Sequence, residues 1–180
     1  MSMTISSCDR CDADAVEQLF VRTFSDSEGE AEGRAVGALA GELLRSTPHS
    51  DLYGFVARDQ DELVGSIILS RIRFESAITA FLLAPVAIRT DYQRRGLGQS
   101  LIRHGLAVLK RDGIELVLTY GDPRFYGKVG FAPVDASRVP APFPLSQPEG
   151  WMVQSLSGDP IPPIPGCSSC VPALCRAEVW

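Results

Sequence analysis

Several features that would direct the chain to a membrane, a secretory route or a nucleic acid are missing. No stretch of the 180 residues approaches the roughly 20 apolar positions that a membrane span needs. The first 20 residues, MSMTISSCDRCDADAVEQLF, lack the basic and then apolar regions of a secretory leader. The formal net charge of -5 repels polyanions. We therefore expect a cytoplasmic protein that binds no membrane and no nucleic acid, so that any bound anion is held locally.

Cysteines are few, and their number is odd: five in the chain. Without a secretory leader, this count indicates reduced thiols rather than a disulfide framework. Two C-x-x-C spacings, Cys8 with Cys11 and Cys167 with Cys170, leave a zinc site open as the alternative, with Cys175 nearby. The two pairs lie at opposite ends of the chain, so we expect no metal.

Sequence patterns of covalent and nucleotide-dependent catalysis are also absent. No Ser–His–Asp, Cys–His or paired-carboxylate arrangement stands out. The run GLGQSL does not match G-x-x-x-x-G-K-[ST], and it departs from G-x-G-x-x-G because Leu101 stands at the last glycine position. These departures argue against a nucleotide triphosphatase, a dinucleotide enzyme and a covalent acyl-enzyme.

The composition that remains is that of a globular protein, with 45% hydrophobic and 22% charged residues. The length fits one ordinary domain. We expect a single domain over 1–180, with a core at about 3–156. The extension over 157–180 is rich in proline and cysteine, and we expect it to end in a strand.

Hydrophobic periodicity and turn residues predict alternating strands and helices. Asp12 or Asp14 is expected to cap the first helix and Gly113 to end the helix at 97–111. That helix joins two apolar strands, ITAFLLAPVAI and IELVLTY, which must therefore run parallel. The remaining predicted elements are a strand at 3–6, a helix at 30–45, a hairpin over 52–74, a short helix after Asp122 and a strand at 151–156.

The first apolar strand contains a proline that predicts an opening in the sheet. Pro85 cannot donate to the ladder, so the strand should carry a bulge and move away from its parallel neighbour. The amides of Val86, Ala87 and Ile88 would then lose their sheet partners and need others. An extended ligand that carries amides of its own would supply them.

The segment TDYQRRGLGQSL places bare backbone and positive charge where this strand leads into a helix. Gly96 and Gly98 allow the backbone to turn tightly and approach a ligand. The first amides of the helix, its dipole, and the side chains of Arg94 and Arg95 together favour an anion. The pattern suits a pyrophosphate.

Two motifs in this part of the chain resemble the GNAT superfamily of N-acetyltransferases. The pattern [RQ]-x-x-G-x-[GA] after a bulged strand is matched by the residues Gln93, Arg94, Arg95, Gly96, Leu97 and Gly98, and FYGKVGF at 125–131 resembles a later family segment. The resemblance implies an α/β fold with a central mixed sheet, splayed between two parallel strands, and helices on both faces. It also implies acetyl-CoA as co-substrate, with pantetheine along Val86, Ala87 and Ile88 and pyrophosphate on Arg94 to Gly98. Gln93 is counted with these cofactor-binding residues.

The resemblance further implies a catalytic acid, because the tyrosine of the later family segment corresponds to Tyr126. Many members carry an asparagine seven residues earlier, where this chain has Thr119. The general base is left open between His49 and Glu75, both of which also suit a solvated surface. His104 is expected to be exposed.

The function implied is direct transfer of an acetyl group from acetyl-CoA to a primary amine of a small molecule, amino acid or peptide. The alternative is a catalytically weak acyl-CoA-binding sensor or partner protein on the same fold. A homodimer paired through an outer strand is left open.

Overall fold

A computed structural model describes residues 2–180, except for the side chain of Cys11. The backbone divides into two compact units, one of residues 2–69 and Pro85–Gly105, the other of Ser70–Ala84 and Leu106–Trp180. Three elements run through both units: strands β3 (Glu62–Phe74) and β4 (Ala80–Ile88), and a helix, α3 (Leu97–Arg111). The expectation of a single domain stays a prediction.

The first unit is built from two strands and a helical hairpin, together with parts of the shared elements. Its own elements are β1 (Met3–Ser7), α1 (Ala13–Glu28), α2 (Glu30–Ser46) and β2 (Leu52–Asp59). β1 pairs antiparallel with β2, from Met3 opposite Asp59 to Ser7 opposite Phe55. A short 3-10 helix, Thr90–Tyr92, follows β4.

Helices cover both sides of β2 within this unit. An added Cβ on Gly54 would lie 3.4 Å from Leu44 of α2, whereas one on Gly105 of α3 would lie 3.2 Å from the Phe55 ring. Successive strand residues point to opposite faces. Gly54 and Phe55 therefore place α2 and α3 on opposite faces of the strand, as the resemblance implied.

The second unit adds short strands around a buried one. β5 (Leu116–Tyr120) runs parallel to β4, and β7 (Trp151–Ser155) pairs antiparallel with β5. The other elements are α4 (Pro123–Tyr126), β6 (Ala132–Pro133), which pairs with β7, and β8 (Ser168–Ser169), which pairs with β3.

The described residues form a mixed sheet of eight strands. Its order is β1-β2-β3-β4-β5-β7-β6, and β8 pairs with β3 off this path. The β4–β5 pair is parallel, while β1–β2, β5–β7, β6–β7 and β3–β8 are antiparallel. The predicted mixed α/β architecture is confirmed.

Three details differ from the sequence expectations. The chain does not end in a strand, because the Trp180 indole N–H donates to the Leu174 carbonyl and the final residues fold into short 3-10 helices, Pro172–Leu174 and Ala177–Val179. The Asp12 carboxylate does not cap α1, because it accepts hydrogen bonds from the Arg58 side chain and the Asp9 amide. His104 is half-buried, since its ring packs edge-on against Phe55 at 5.4 Å.

Candidate functional site

The parallel pairing of β4 with β5 ends before β4 does. The register runs from Ala80 opposite Leu116 to Leu83 opposite Thr119, and β4 continues to Ile88. The strand therefore has a segment, residues 84–88, that is outside this pairing. Pro85, at which the sequence predicted that the strand leaves its neighbour, lies in that segment.

Main-chain directions show that the alternation of β4 shifts within this segment. Leu83 and Arg89 are an even number of residues apart, so in a regular strand their polar groups would face the same neighbour. Instead the Leu83 carbonyl accepts the Thr119 hydroxyl of β5 at 2.8 Å, while the Arg89 amide donates to the Val64 carbonyl of β3 at 2.8 Å. A shift of one residue is the signature of a bulge, and it supports the bulge predicted at Pro85.

The shift decides which amides of the segment are turned away from β3. Because the Arg89 amide faces β3, alternation directs the amide of Ala87 to β3 and those of Val86 and Ile88 to the opposite side. Of the three amides expected to lose partners, two are thus directed away from β3. The Ile88 carbonyl on the same side accepts the Gln93 side-chain amide at 2.9 Å. Gln93 therefore connects the following loop to the strand edge.

The loop before α3 has the backbone of an anion-binding turn. Arg94 has φ 60° and Gly96 has φ 79°, so left-handed residues alternate with others. Such alternation directs successive amides into a concavity, or nest, that binds anions. The Ser100 amide makes the bond to the Gly96 carbonyl that begins the helical pattern. The preceding helical amides have no acceptor inside α3.

Side chains add positive charge to this nest. Arg94 and Arg95 are both exposed. A non-glycine residue in the left-handed region costs free energy, of order 1–3 kcal/mol, and such residues concentrate at functional sites. Arg94 takes that conformation here. The predicted residues Gln93 to Gly98 thus lie in one loop whose backbone and charge suit an anion.

A second set of residues, which the sequence analysis missed, anchors this loop. The Tyr92 hydroxyl donates to the Asp59 carboxylate at 2.8 Å. The guanidinium groups of Arg89 and Arg95 lie over the Tyr92 ring, 4.7 and 5.4 Å from its centroid. Arg89 also pairs with the carboxylates of Glu62 (2.9 Å) and Asp91 (2.7 Å). The only signal in the sequence is the clustering of Arg89, Asp91 and Tyr92 ahead of the glycines.

These contacts shift the protonation equilibria of the anchor. The hydrogen bond from Tyr92 lowers the pKa of Asp59 and raises that of the Tyr92 phenol. The hydrogen bonds from Arg89 lower the pKa of Asp91. The Asp91 and Glu62 carboxylates hold Arg89 in the anchor rather than leaving it for a ligand.

Tyr126, the predicted acid, lies at the end of a short helix in the other unit. The Asp122 carboxylate accepts the Arg124 amide at 2.9 Å, and Pro123 takes the first helical position, so α4 begins as predicted. The Tyr126 ring packs edge-on against Phe125 at 5.0 Å and Phe131 at 6.0 Å. Aromatic packing fixes the ring.

Gly121 packs closely against the Tyr126 ring. An added Cβ on Gly121 would lie 2.5 Å from Cε2 of Tyr126, and one on Gly150 would lie 2.9 Å from the Gly121 carbonyl. Only a residue without a side chain allows the β5–α4 turn to approach the phenol this closely. Nothing in the sequence signals this contact between Gly121 and Tyr126.

Thr119 connects the last β4–β5 pair to the phenol. It is fully buried, and its hydroxyl donates to the Leu83 carbonyl. Burial raises the pKa of Tyr126, and a hydrogen bond with the Thr119 side chain opposes that rise. The phenol is therefore protonated at neutral pH. Thr119 stands where many members of the resembled family carry an asparagine, and its hydroxyl bonds to a carbonyl of this protein.

The two residues considered for the general base are both at the surface. His49 is exposed in a short 3-10 helix before β2. Glu75 is exposed, and its carboxylate packs on Gly166. Neither position supplies a burial or hydrogen-bond argument for proton abstraction, so the base stays unassigned.

The described residues contain neither a cluster of metal ligands nor a helix suited to a membrane. Over residues 2–180, no three or more His, Cys, Asp or Glu side chains form a group suited to a metal ion. The side chain of Cys11, one member of the first C-x-x-C pair, lies outside the described part of the chain. In the same range, no helix is long and apolar enough to cross a membrane.

Comparison with known proteins gives consistent matches. Residues 50–133 match the acetyltransferase (GNAT) domain family. The chain is 30% identical over 159 residues to the Escherichia coli K12 protein called uncharacterized N-acetyltransferase YjhQ, covering 85% of this chain and 84% of that protein. It is 29% identical over 122 residues to YhbS of the same strain, also called an uncharacterized N-acetyltransferase, covering 67% and 68%.

Solved structures share the fold. The crystal structure of Escherichia coli YhbS in complex with CoA has a TM-score of 0.80 at 24% identity, covering 97% of this chain and 92% of that one. A GNAT family acetyltransferase from Brucella melitensis in complex with acetyl-CoA has a TM-score of 0.74 at 22% identity, covering 96% and 98%. At these identities the structural likeness establishes the fold alone.

Proposed function

The chain belongs to the GNAT superfamily of N-acetyltransferases, and we propose that it transfers the acetyl group of acetyl-CoA directly to a primary amine of a small molecule, amino acid or peptide. The observation that carries the proposal is the segment from Val86 to Gly98. In it, strand-edge amides turned away from β3 lead into an amide nest flanked by two arginines.

Each part of that segment matches a part of acetyl-CoA. The pantetheine arm is extended and contains amides, so it can add to the strand edge at Val86 and Ile88 as another strand would. The pyrophosphate carries charge and acceptor oxygens, which suit the amides around Gly96 and the guanidinium groups of Arg94 and Arg95. Gln93 already bonds to the Ile88 carbonyl, so we assign it to holding the loop against the strand.

The chemistry requires two proton movements. An alkylamine with a pKa near ~10 is mostly protonated at neutral pH, so a base or a water chain must remove its proton before attack. Attack on the thioester carbonyl expels the CoA thiolate, which needs a proton in return. We propose that Tyr126 supplies it, since burial keeps its phenol protonated.

The experiment is an assay of thiol release and product mass with acetyl-CoA and a panel of primary amines. Thiol release that depends on one amine, with a product heavier by one acetyl group, is the expected result. Tyr126→Phe should lower turnover and leave acetyl-CoA binding unchanged. Tight CoA binding without amine-dependent thiol release across the panel would contradict the enzyme and favour the sensor.

A further inference from the structure

The structure brings together two cysteines that do not form a C-x-x-C pair. The sulfur atoms of Cys170 and Cys175 lie 3.6 Å apart, and the Cys175 thiol donates to the Cys170 carbonyl at 3.5 Å. Both thiols are reduced. Cys170 therefore contacts Cys175, which the Cys167-x-x-Cys170 spacing does not indicate.

A tight turn holds the two thiols in place. The Leu174 amide donates to the Val171 carbonyl at 2.9 Å, and the Cys175 amide donates to the Pro172 carbonyl at 3.1 Å. Because backbone bonds fix the residues between the thiols, their effective concentration is well above that in a flexible chain of the same length.

The turn lies between two anchored ends of the C-terminal tail, residues 168–180. At one end, β8 pairs with β3 through Ser168 and Ser169. At the other, the Trp180 ring stacks on Tyr120 at 6.3 Å and packs edge-on against Trp151 at 6.0 Å. Bond formation between the thiols would thus close a ring inside an already ordered tail.

We propose that Cys170 and Cys175 are a redox modification site, at which a low-molecular-weight disulfide such as oxidised glutathione converts the two thiols into a reversible intramolecular disulfide. The Cys175 thiolate attacks one glutathione sulfur, and a glutathione thiolate leaves. The Cys170 thiolate then attacks the Cys175 sulfur of this mixed disulfide and expels the second glutathione. Two electrons pass from the cysteines to glutathione, and the two thiol protons end on the two glutathione thiols.

Burial and charge set the order of these steps. Cys175 is exposed, whereas Cys170 is half-buried. Burial, followed by the hydrogen bond and the charge of Cys175, raises the pKa of Cys170 to about 12. The thiolate is the attacking form, so Cys175 reacts first. Once Cys175 carries glutathione it can no longer be charged, which removes one of the causes that raise the pKa of Cys170 before the second step.

The test is equilibration of the full chain with mixtures of reduced and oxidised glutathione, followed by intact mass and peptide mapping. The wild type is expected to lose the mass of two hydrogens, and fragmentation of the peptide that contains both cysteines should locate the bond between Cys170 and Cys175. The matched control Cys167→Ser should behave in the same way. Cys170→Ser should stop as a glutathione adduct on Cys175.

A denatured sample supplies the second measurement. The oxidised-to-reduced glutathione ratio needed for half-oxidation should be at least about tenfold lower for the native chain than for the chain in urea, because the fold holds the thiols together. Equal ratios, a stable wild-type adduct on Cys175, or a link to Cys167 would each overturn the proposal. These outcomes are read from mass alone, so they are independent of the acetyltransferase assay.

Discussion

Replacing Gly121 by alanine is expected to displace Tyr126 without contacting the segment from Val86 to Gly98 that we propose holds acetyl-CoA. The new Cβ would stand 2.5 Å from Cε2 and 3.2 Å from Cδ2 of the Tyr126 ring. Carbon atoms pack at about 3.5–4.0 Å, so the ring must withdraw by roughly 1 Å. A misplacement of about 1 Å can lower turnover by roughly 10²-fold. Overpacking of this kind also costs about 1–3 kcal/mol of stability.

Gly127→Ala is the matched control because it adds the same methyl group next to Tyr126. Gly127 has φ -57° and ψ -32°, and an added Cβ there meets no atom within 4 Å. Alanine at such a helical position should leave turnover unchanged and stabilise the protein by about 0.4–1 kcal/mol.

Three measurements on the two variants decide the matter: kcat from thiol release, acetyl-CoA affinity by calorimetry, and the free energy of unfolding in urea. We expect only Gly121→Ala to lose kcat, and we expect both variants to retain acetyl-CoA affinity. A folded Gly121→Ala protein with wild-type kcat would refute the reasoning that the position of Tyr126 controls turnover.

Four further predictions use other contacts. Tyr126→Phe should lower kcat by about 10²-fold. Because burial raises the pKa of this phenol, the wild-type kcat should decline only as pH exceeds the ordinary tyrosine pKa of about 10. An identical pH–rate profile in the variant would exclude the acid role. Thr119→Val leaves a buried carbonyl without its donor and should cost about 1–3 kcal/mol in urea unfolding, whereas Thr119→Ser should retain most of the stability; equal losses would show that the hydroxyl is unimportant. Tyr92→Phe removes the hydrogen bond that lowers the pKa of Asp59, so NMR titration should show that pKa rising, and an unchanged value would mean that the bond does not form. Burial raises the pKa of Cys8 from 9.0 to about 12, so the folded state holds this proton more tightly than the unfolded chain does. The free energy of unfolding should therefore fall as pH rises across that range. Cys8→Ala should reduce this fall in urea unfolding, and a pH dependence parallel to that of the wild type would contradict the prediction.

Helix α3 and the two parallel strands that it joins could be predicted from the sequence, because their local residue preferences agreed with the tertiary packing. α3 occupies Leu97–Arg111, as the spacing of apolar residues predicted, and Gly113 follows it with φ 84°. The end of the parallel pairing near Pro85 was readable for a related reason, since proline lacks the donor that the ladder needs.

The contacts that position side chains were not readable, because they join residues far apart in the sequence. Tyr92 reaches Asp59 across 33 positions, and nothing near either residue signals the other. The strand expected at the C-terminus does not form, because Trp180 packs against Trp151 and its indole N–H donates to the Leu174 carbonyl. Cys170 pairs with Cys175 because of a turn, which the C-x-x-C spacing did not indicate.

The central claim is that the segment from Val86 to Gly98 holds acetyl-CoA by its strand edge and amide nest. The most direct test is calorimetry with CoA and with pantetheine, which lacks the adenosine and all the phosphates of CoA. Two charge-assisted hydrogen bonds at about 1.5 kcal/mol each predict that CoA binds at least about 100-fold more tightly. Replacing Arg94 and Arg95 by glutamine should remove most of that difference. Equal affinities for CoA and pantetheine, or an Arg94→Gln/Arg95→Gln protein that still distinguishes them as the wild type does, would contradict the claim.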